Sequence, residues 1–192
     1  MSKRLRSNQE GVALIEFAIA LPVLVILLIG MAETAYYTLH QQKLDKLASA
    51  MADFVTQGKT VSVGDLNAFG LTVPQIMRPF NFSGTVIFSS ASRINRTTGP
   101  AACRNRNPCI DWQYRILGSD SSRIGAPGTA PVLPGGYTLQ SNQGVIVAEI
   151  FLRYTPLLAI SSNFVPTYTA QTMYKAAVYK PRQQGQLTTL LP

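Results

Sequence analysis

Histidine, cysteine and acidic residues are scarce in this chain of 192 residues. It has one His, two Cys and 9 Asp or Glu against 17 Lys or Arg. A tetrahedral zinc site needs four ligands, which two cysteines and the distant His40 cannot supply. The carboxylates have no motif spacing, and there is neither a phosphate-binding glycine loop nor an HExxH sequence. We therefore predict that the protein is not an enzyme and holds neither a metal nor a cofactor, with His40 a solvated or packed helix residue.

Hydrophobic residues make up 46% of the chain and are concentrated near the N-terminus. Residues 12–31, VALIEFAIALPVLVILLIGM, contain a single ionisable side chain, Glu16. About 20 apolar residues cross the ~30 Å hydrocarbon core as a helix, whereas the apolar region of a secretory signal is usually about 7 to 15 residues. The segment is therefore predicted to span a membrane, and its carboxylate needs an explanation.

The charge before this segment predicts its orientation. The leader MSKRLRSNQEG, residues 1–11, has three basic residues and one acidic residue. Because basic flanks stay in the cytoplasm, we expect a single-pass protein with a cytoplasmic N-terminus and everything after the apolar segment outside.

The helix is expected to continue beyond the membrane. After Tyr37 the apolar residues recur at helical spacing, and Gly58 is a natural stop. The predicted helix covers residues 12–57, with its N-terminal half in the membrane. Residues 58–192 are predicted to form an extracytoplasmic α+β domain.

Short extended runs separated by Gly, Pro, Ser and Asn predict about four strands in this domain. The runs are Gly84–Ser90, Ile110–Ile116, Val145–Tyr154 and Tyr168–Tyr179. We expect a small antiparallel sheet packed on the C-terminal half of the long helix, a pilin-like α+β fold. Residues 117–143, rich in Gly, Pro and Ser, are predicted to be a surface excursion. Glu149 is expected on the wet face of the sheet, as the partner of a basic side chain.

Two further features of the outer domain predict sites. Cys103 and Cys109 lie outside the membrane under this topology, where a disulfide is the default; a loop this short contributes at most about 2 to 3 kcal/mol. Clustered arginines can bind the phosphates of nucleic acid or lipid, although a solvated basic surface is the commoner meaning. The candidate anion-binding residues are Arg93, Arg96, Arg104 and Arg106.

The start of the apolar segment resembles a type IV prepilin processing site. Gly11 is followed by four apolar residues, then Glu16 and Phe17. The resemblance implies cleavage between Gly11 and Val12 by a membrane-embedded prepilin peptidase, which leaves a new α-amine on Val12. Glu16 would then neutralise the amine of a neighbouring subunit, since an unpaired charge among bundled helices is costly.

Three stretches are similar to the TadE-like pseudopilins of tight-adherence (Tad, or Flp) pilus systems. They are EGVALIEFAIALPVLVILLIGMAE at the start, VIVAEIFLRYTPLL (residues 145–158) and AAVYKPR (residues 176–182). The resemblance implies a minor pilin that primes, caps or lengthens a pilus for surface adhesion. TadF-like and TadG-like relatives share the N-terminal segment.

The same resemblance implies partners and a location. The partners would be the prepilin peptidase, other major and minor pilins, the inner-membrane assembly platform and membrane lipid. The location would be the bacterial inner membrane, with a periplasmic C-terminal domain, and then the pilus or cell surface. The alternative is a bitopic membrane adhesin or DNA-binding surface protein that is not built into a filament.

Overall fold

The structure, a computed structural model, describes residues 9–58, 60–94, 103, 107–157, 169–182 and 189–192. The chain divides into two compact units. The first contains residues 1–39 and 155–170, and the second contains residues 40–154 and 171–192. The helices and strands are, in chain order, α1 (Gln9–Gln57), β1 (Thr60–Ser62), α2 (Val63–Ile76), β2 (Gly84–Arg93), β3 (Cys109–Leu117), β4 (Gln143–Tyr154), β5 (Gln171–Tyr179) and β6 (Thr189–Leu191).

The long helix α1 contributes residues to both units. It begins three residues before the predicted Val12 and ends at Gln57, next to the predicted stop at Gly58. A Cβ on Gly58 would lie 2.9 Å from the carbonyl oxygen of Thr60. The chain can leave the helix here because glycine has no side chain to meet that oxygen.

The second unit contains the predicted four-stranded antiparallel sheet, in the order β3-β2-β4-β5. The α+β class and the sheet are confirmed. Strand β4 lies at the centre, paired with β2 on one side and β5 on the other. Its residues from Val145 to Leu152 are buried, so both faces of the sheet are covered.

One face of the sheet, which we call the helix face, is covered by the C-terminal part of α1 and by α2. His40 of α1 lies edge-on to Tyr154 of β4, with ring centroids 5.4 Å apart, and the Tyr114 hydroxyl of β3 donates to Asn67 Oδ1 of α2 at 3.1 Å. The buried residues of α1 recur at helical spacing on one side. They are Leu44, Leu47, Ala48, Met51, Ala52 and Val55.

The opposite face, which we call the loop face, is covered by residues 118–142, hereafter the covering segment. Ile124, Leu133 and Leu139 of this segment form a buried cluster with Val145 and Val147 of β4. The expectation of a wet face on β4 was therefore wrong. The apolar residues of the covering segment are widely spaced among Gly, Pro and Ser, so they show no period that would predict burial.

Three elements of the second unit, α2, β1 and β6, were not predicted. Helix α2 begins with a capping box, in which the Ser62 hydroxyl accepts from the Asp65 N–H and the Asp65 carboxylate accepts from the Ser62 N–H. Strands β1 and β6 form a two-stranded parallel sheet, with Val61 opposite Leu190. Each of these strands has three residues, which is too short for a periodic signal.

Candidate cleavage and assembly site

Gly11 and Val12, the residues at the predicted cleavage position, lie in the first turns of α1. Helix N-terminal N–H groups lack intrahelical acceptors, and glycine in a helix costs about 1 kcal/mol relative to alanine. The helix is therefore intrinsically weak at this position. The backbone at Gly11 and Val12 is helical, so a peptidase would have to unwind the first turns to reach the bond.

Glu16 lies on one side of α1 among apolar side chains. Ile19, Ala20, Val23 and Leu24 follow it at intervals of three, four, seven and eight residues, and the five side chains line one shallow hollow. Glu16 is exposed within its own chain. This arrangement can offer a carboxylate to a cation that arrives with an apolar surface, such as another helix.

The surface around Glu16 and Phe17 is apolar and uncovered. Phe17 is 61% exposed and Leu14 is 71% exposed. Among the described residues, one helix, Gly11–Gln57, is long and apolar enough to cross a membrane, judged by length and composition. An apolar surface of this extent is stable only against lipid or other apolar helices.

Glu33 is a second carboxylate of the first unit, and its environment was missed by the sequence analysis. Its side chain is fully buried, and Oε1 accepts a hydrogen bond from the Leu157 N–H at 3.0 Å. A signal was present, because Glu33 stands two residues after the end of the apolar run and a carboxylate there needs partners. The partner is 124 residues away in sequence, which no local pattern reveals.

Glu149 forms a buried polar cluster on the loop face. It accepts hydrogen bonds from the Ser122 hydroxyl, from the Arg123 N–H at 2.9 Å and from the Tyr174 hydroxyl at 2.9 Å. Glu149 was predicted to pair with a basic side chain at the solvent-exposed face. A basic residue, Arg123, does contact it, but the contact is made by the backbone N–H of Arg123 in the interior. The Arg123 guanidinium lies over the ring of Tyr174, 4.3 Å from its centroid. Burial, followed by the charge of Glu149, raises the pKa of Tyr174 well above its usual range.

Of the other residues predicted to form sites in the outer domain, the structure describes some and leaves three arginines outside its described ranges. Cys103 and Cys109 are joined by a disulfide, with Cα atoms 5.7 Å apart. Arg93 donates from Nη1 to the Leu139 carbonyl at 3.1 Å, whereas the three other candidate anion-binding arginines lie outside the described residues, so that site stays a prediction. His40 is packed, with its ring stacked 3.9 Å from that of Phe80. No group of three metal-ligating side chains occurs within the described ranges.

Comparison with known proteins decides the kind of N-terminal segment. Residues 11–53 match the family of TadE-like proteins. This TadE-like segment begins at Gly11 and contains Glu16, the apolar run and Glu33, so the predicted resemblance is confirmed over these residues. The matched range does not include the two other stretches on which the resemblance rested. Comparison with curated proteins and with solved structures gave no match.

The TadE-like match fits a part in a Tad pilus system, and it fits a structural rather than an enzymatic kind of protein. One apolar helix in the same segment could span a membrane. The match and the helix coincide along the chain, so the features that indicate a pilus system and those that indicate a membrane lie in one element.

Proposed function

We propose that this protein is a minor pilin of a Tad pilus system, cleaved after Gly11 by a prepilin peptidase. The observation that carries the proposal is an exposed Glu16 on an apolar helix surface inside the TadE-like segment. A lone carboxylate on such a surface is costly in lipid, and a pairing role in assembly accounts for its presence.

Cleavage supplies the positive charge that Glu16 needs. The new α-amine of Val12 stands four residues before Glu16, on the same side of the helix. The carboxylate can therefore neutralise the amine of its own chain while the protein is in the membrane. It can exchange this partner for the amine of a neighbouring subunit when the helices pack together, since apolar contact then excludes water from both charges.

The remaining parts of the protein follow from this role. The leader lies in the cytoplasm, α1 anchors the processed chain in the inner membrane, and the domain after Gly58 lies in the periplasm and later on the pilus. The assembly platform, membrane lipid and the other major and minor pilins are its partners. The protein contributes to surface adhesion by assembly and carries out no catalysis.

N-terminal sequencing of the processed protein tests the proposal. We expect the mature chain to begin at Val12, and Gly11→Arg to prevent processing and pilus formation. A mature chain that still begins at Met1 or Ser2 contradicts the pilin function and favours a membrane adhesin or DNA-binding protein outside a filament.

A second variant separates pairing from processing. Glu16→Ala should insert in the membrane and be cleaved, yet be absent from purified pili. Ile15→Ala, which changes the neighbouring exposed apolar residue, is the control and should assemble. Normal assembly of Glu16→Ala would refute the pairing role while leaving the cleavage prediction intact.

A further inference from the structure

Strand β5 forms one edge of the four-stranded sheet. Its nine residues pair with β4 in an unbroken register from Tyr154↔Gln171 to Ile146↔Tyr179. It contains neither a proline nor a register shift, and within the described ranges no strand pairs with its outer side. Every second residue of an edge strand directs its N–H and C=O groups outward. The β5 edge is therefore a regular row of about four donor and acceptor pairs.

The opposite edge, β3, is built differently. Its register with β2 shifts twice, between Val86 and Ile87 and between Ser90 and Ala91. Outside the sheet, the Ile110 N–H donates to the Thr129 carbonyl and the Ile110 carbonyl accepts from Gly128, both at 2.9 Å. Irregular pairing and a bonded loop are two ways in which proteins prevent an edge from accepting another strand. Over Thr172–Tyr179 of β5, the described residues show neither feature.

The surroundings of β5 are basic. The cations along the strand and at its ends are Arg123, Arg153, Lys175, Lys180 and Arg182. Carboxylates nearby are already engaged. Asp45 pairs with Lys175 at 3.0 Å, Asp53 pairs with Arg182 at 2.5 Å, and Glu149 is buried beside Arg123. These carboxylates offset the charges of Lys175, Arg182 and Arg123, so the positive charge that a ligand would meet is that of the exposed Arg153 and Lys180.

A hollow lies at the C-terminal end of β5. It has a volume of about 360 Å³ and is lined by Pro134, Tyr137, Val145, Val178 and Lys180. In strand addition, main-chain hydrogen bonds give affinity, and pockets beside the edge select side chains. This hollow can accept one apolar side chain of an added strand, with the ammonium of Lys180 at its rim.

From these observations we infer that the β5 edge binds an extended, acidic segment of another protein by strand addition. A second copy of this chain is a poor occupant, because pairing two β5 edges brings two sets of cations together. A single-stranded nucleic acid has no peptide N–H and C=O groups, so it cannot continue the main-chain hydrogen bonds of the sheet. The inference does not depend on cleavage at Gly11.

Peptide binding to the full-length protein in detergent micelles tests this inference. The probe is a fluorescent nine-residue peptide of alternating Val and Glu, matched to the length of β5. We expect binding in fluorescence anisotropy, and slower hydrogen exchange over residues 171–179 but not over 109–117. Arg153→Glu with Lys180→Glu should raise the Kd by about tenfold or more, since both cations are exposed beside the edge.

The control has the same change of charge elsewhere. Arg78→Glu with Arg115→Glu alters two exposed cations, one after the end of α2 and one on β3 at the opposite edge of the sheet. It should leave the Kd within about twofold at physiological salt, where distant charges are screened. Three results would overturn the inference. They are no binding of the acidic peptide, equal binding of a Val-Lys peptide or of one with a central proline, and slowed exchange of β5 that depends on protein concentration without peptide, which would indicate a second copy.

Discussion

The Tyr174 hydroxyl of β5 donates a hydrogen bond to Oε1 of Glu149 on β4, with the two oxygens 2.9 Å apart. The same carboxylate also holds the covering segment through Ser122 and the Arg123 N–H. One buried side chain therefore connects two neighbouring strands and the segment that covers them. We expect this connection to matter more for stability than any exposed ion pair of the domain, because buried groups lose their water as well as their partner.

Glu149→Ala should lower the free energy of unfolding by about 3 kcal/mol, because it leaves three buried or half-buried donors without an acceptor. Glu149→Gln, which keeps one acceptor oxygen, should lower it by less. Arg153→Ala is the control, since its side chain is exposed on the same strand. Urea unfolding of the full-length protein in micelles measures the three values; equal stability of Glu149→Ala and the wild type would refute the role of the cluster.

The raised pKa of Tyr174 predicts a loss of stability in alkaline solution. An unfolded tyrosine ionises near pH 10, whereas the folded one stays protonated to a higher pH because of its burial and the Glu149 charge. The unfolded state therefore loses its proton first, so the contribution to stability is complete below about pH 10 and decreases above it. The stability of the wild type should fall more steeply above pH 10 than that of Tyr174→Phe. If the stability of both proteins fell equally steeply above pH 10, the raised pKa of Tyr174 would be contradicted.

Substitution of glycine by alanine is expected to have opposite effects on stability at two positions of α2. A Cβ on Gly70 would clash with the Ile116 side chain of β3, whereas a Cβ on Gly64 would meet only Ser62 Oγ at an ordinary 3.5 Å. Gly70→Ala should destabilise the domain by roughly 1 to 3 kcal/mol through overpacking, and Gly64→Ala should stabilise it by up to about 1 kcal/mol. Thermal unfolding measures whether each variant is more or less stable than the wild type. Stabilisation by Gly70→Ala would show that α2 is not packed this closely on β3.

Acid should weaken the start of α2. Hydrogen bonds from the Ser62 hydroxyl and then from its N–H lower the pKa of Asp65. An unfolded Asp ionises near pH 3.9, so this contribution is complete above about pH 4 and is lost as the pH falls through the lower folded pKa. The stability difference between the wild type and Asp65→Asn should narrow below pH 4. Ser62→Ala lacks the hydroxyl that contributes most to lowering the pKa of Asp65, so the stability difference between the wild type and this variant should also narrow below pH 4. A stability difference that stays constant with pH would exclude the capping box as the source of the acid sensitivity.

The parts of the fold that were predicted correctly depend on consecutive residues. The apolar run after Gly11 and the strand runs carry their periodicity within short windows, and Gly58 marks the end of α1. The cleavage and pairing residues were proposed from a local motif for the same reason. Helix α2 was missed because Gly64, Gly70 and Pro74 interrupt its apolar pattern, although Ser62 and Asp65 had the spacing of a capping box.

The parts that were missed depend on distant residues. Glu33 accepts a hydrogen bond from the Leu157 N–H. Glu149 accepts hydrogen bonds from Ser122 and Arg123, which are 27 and 26 residues away in sequence. Whether such a carboxylate faces water or the interior is decided by what folds over it. The covering segment contains little regular structure, so its path over β4 could not be inferred from the pattern of β4 itself.

The different construction of β3 and β5 limits how far a complex can grow. When both edges of a sheet are open, each molecule that adds to one edge presents its own free edge to the next molecule, so fibres can form. Here β3 is irregular and bonded to a loop, so within the described part of the four-stranded sheet a strand is expected to add at β5 and not at β3. The expected complex therefore has one segment bound at the β5 edge of each four-stranded sheet, and a fibre that grows through the β3 edge is not expected.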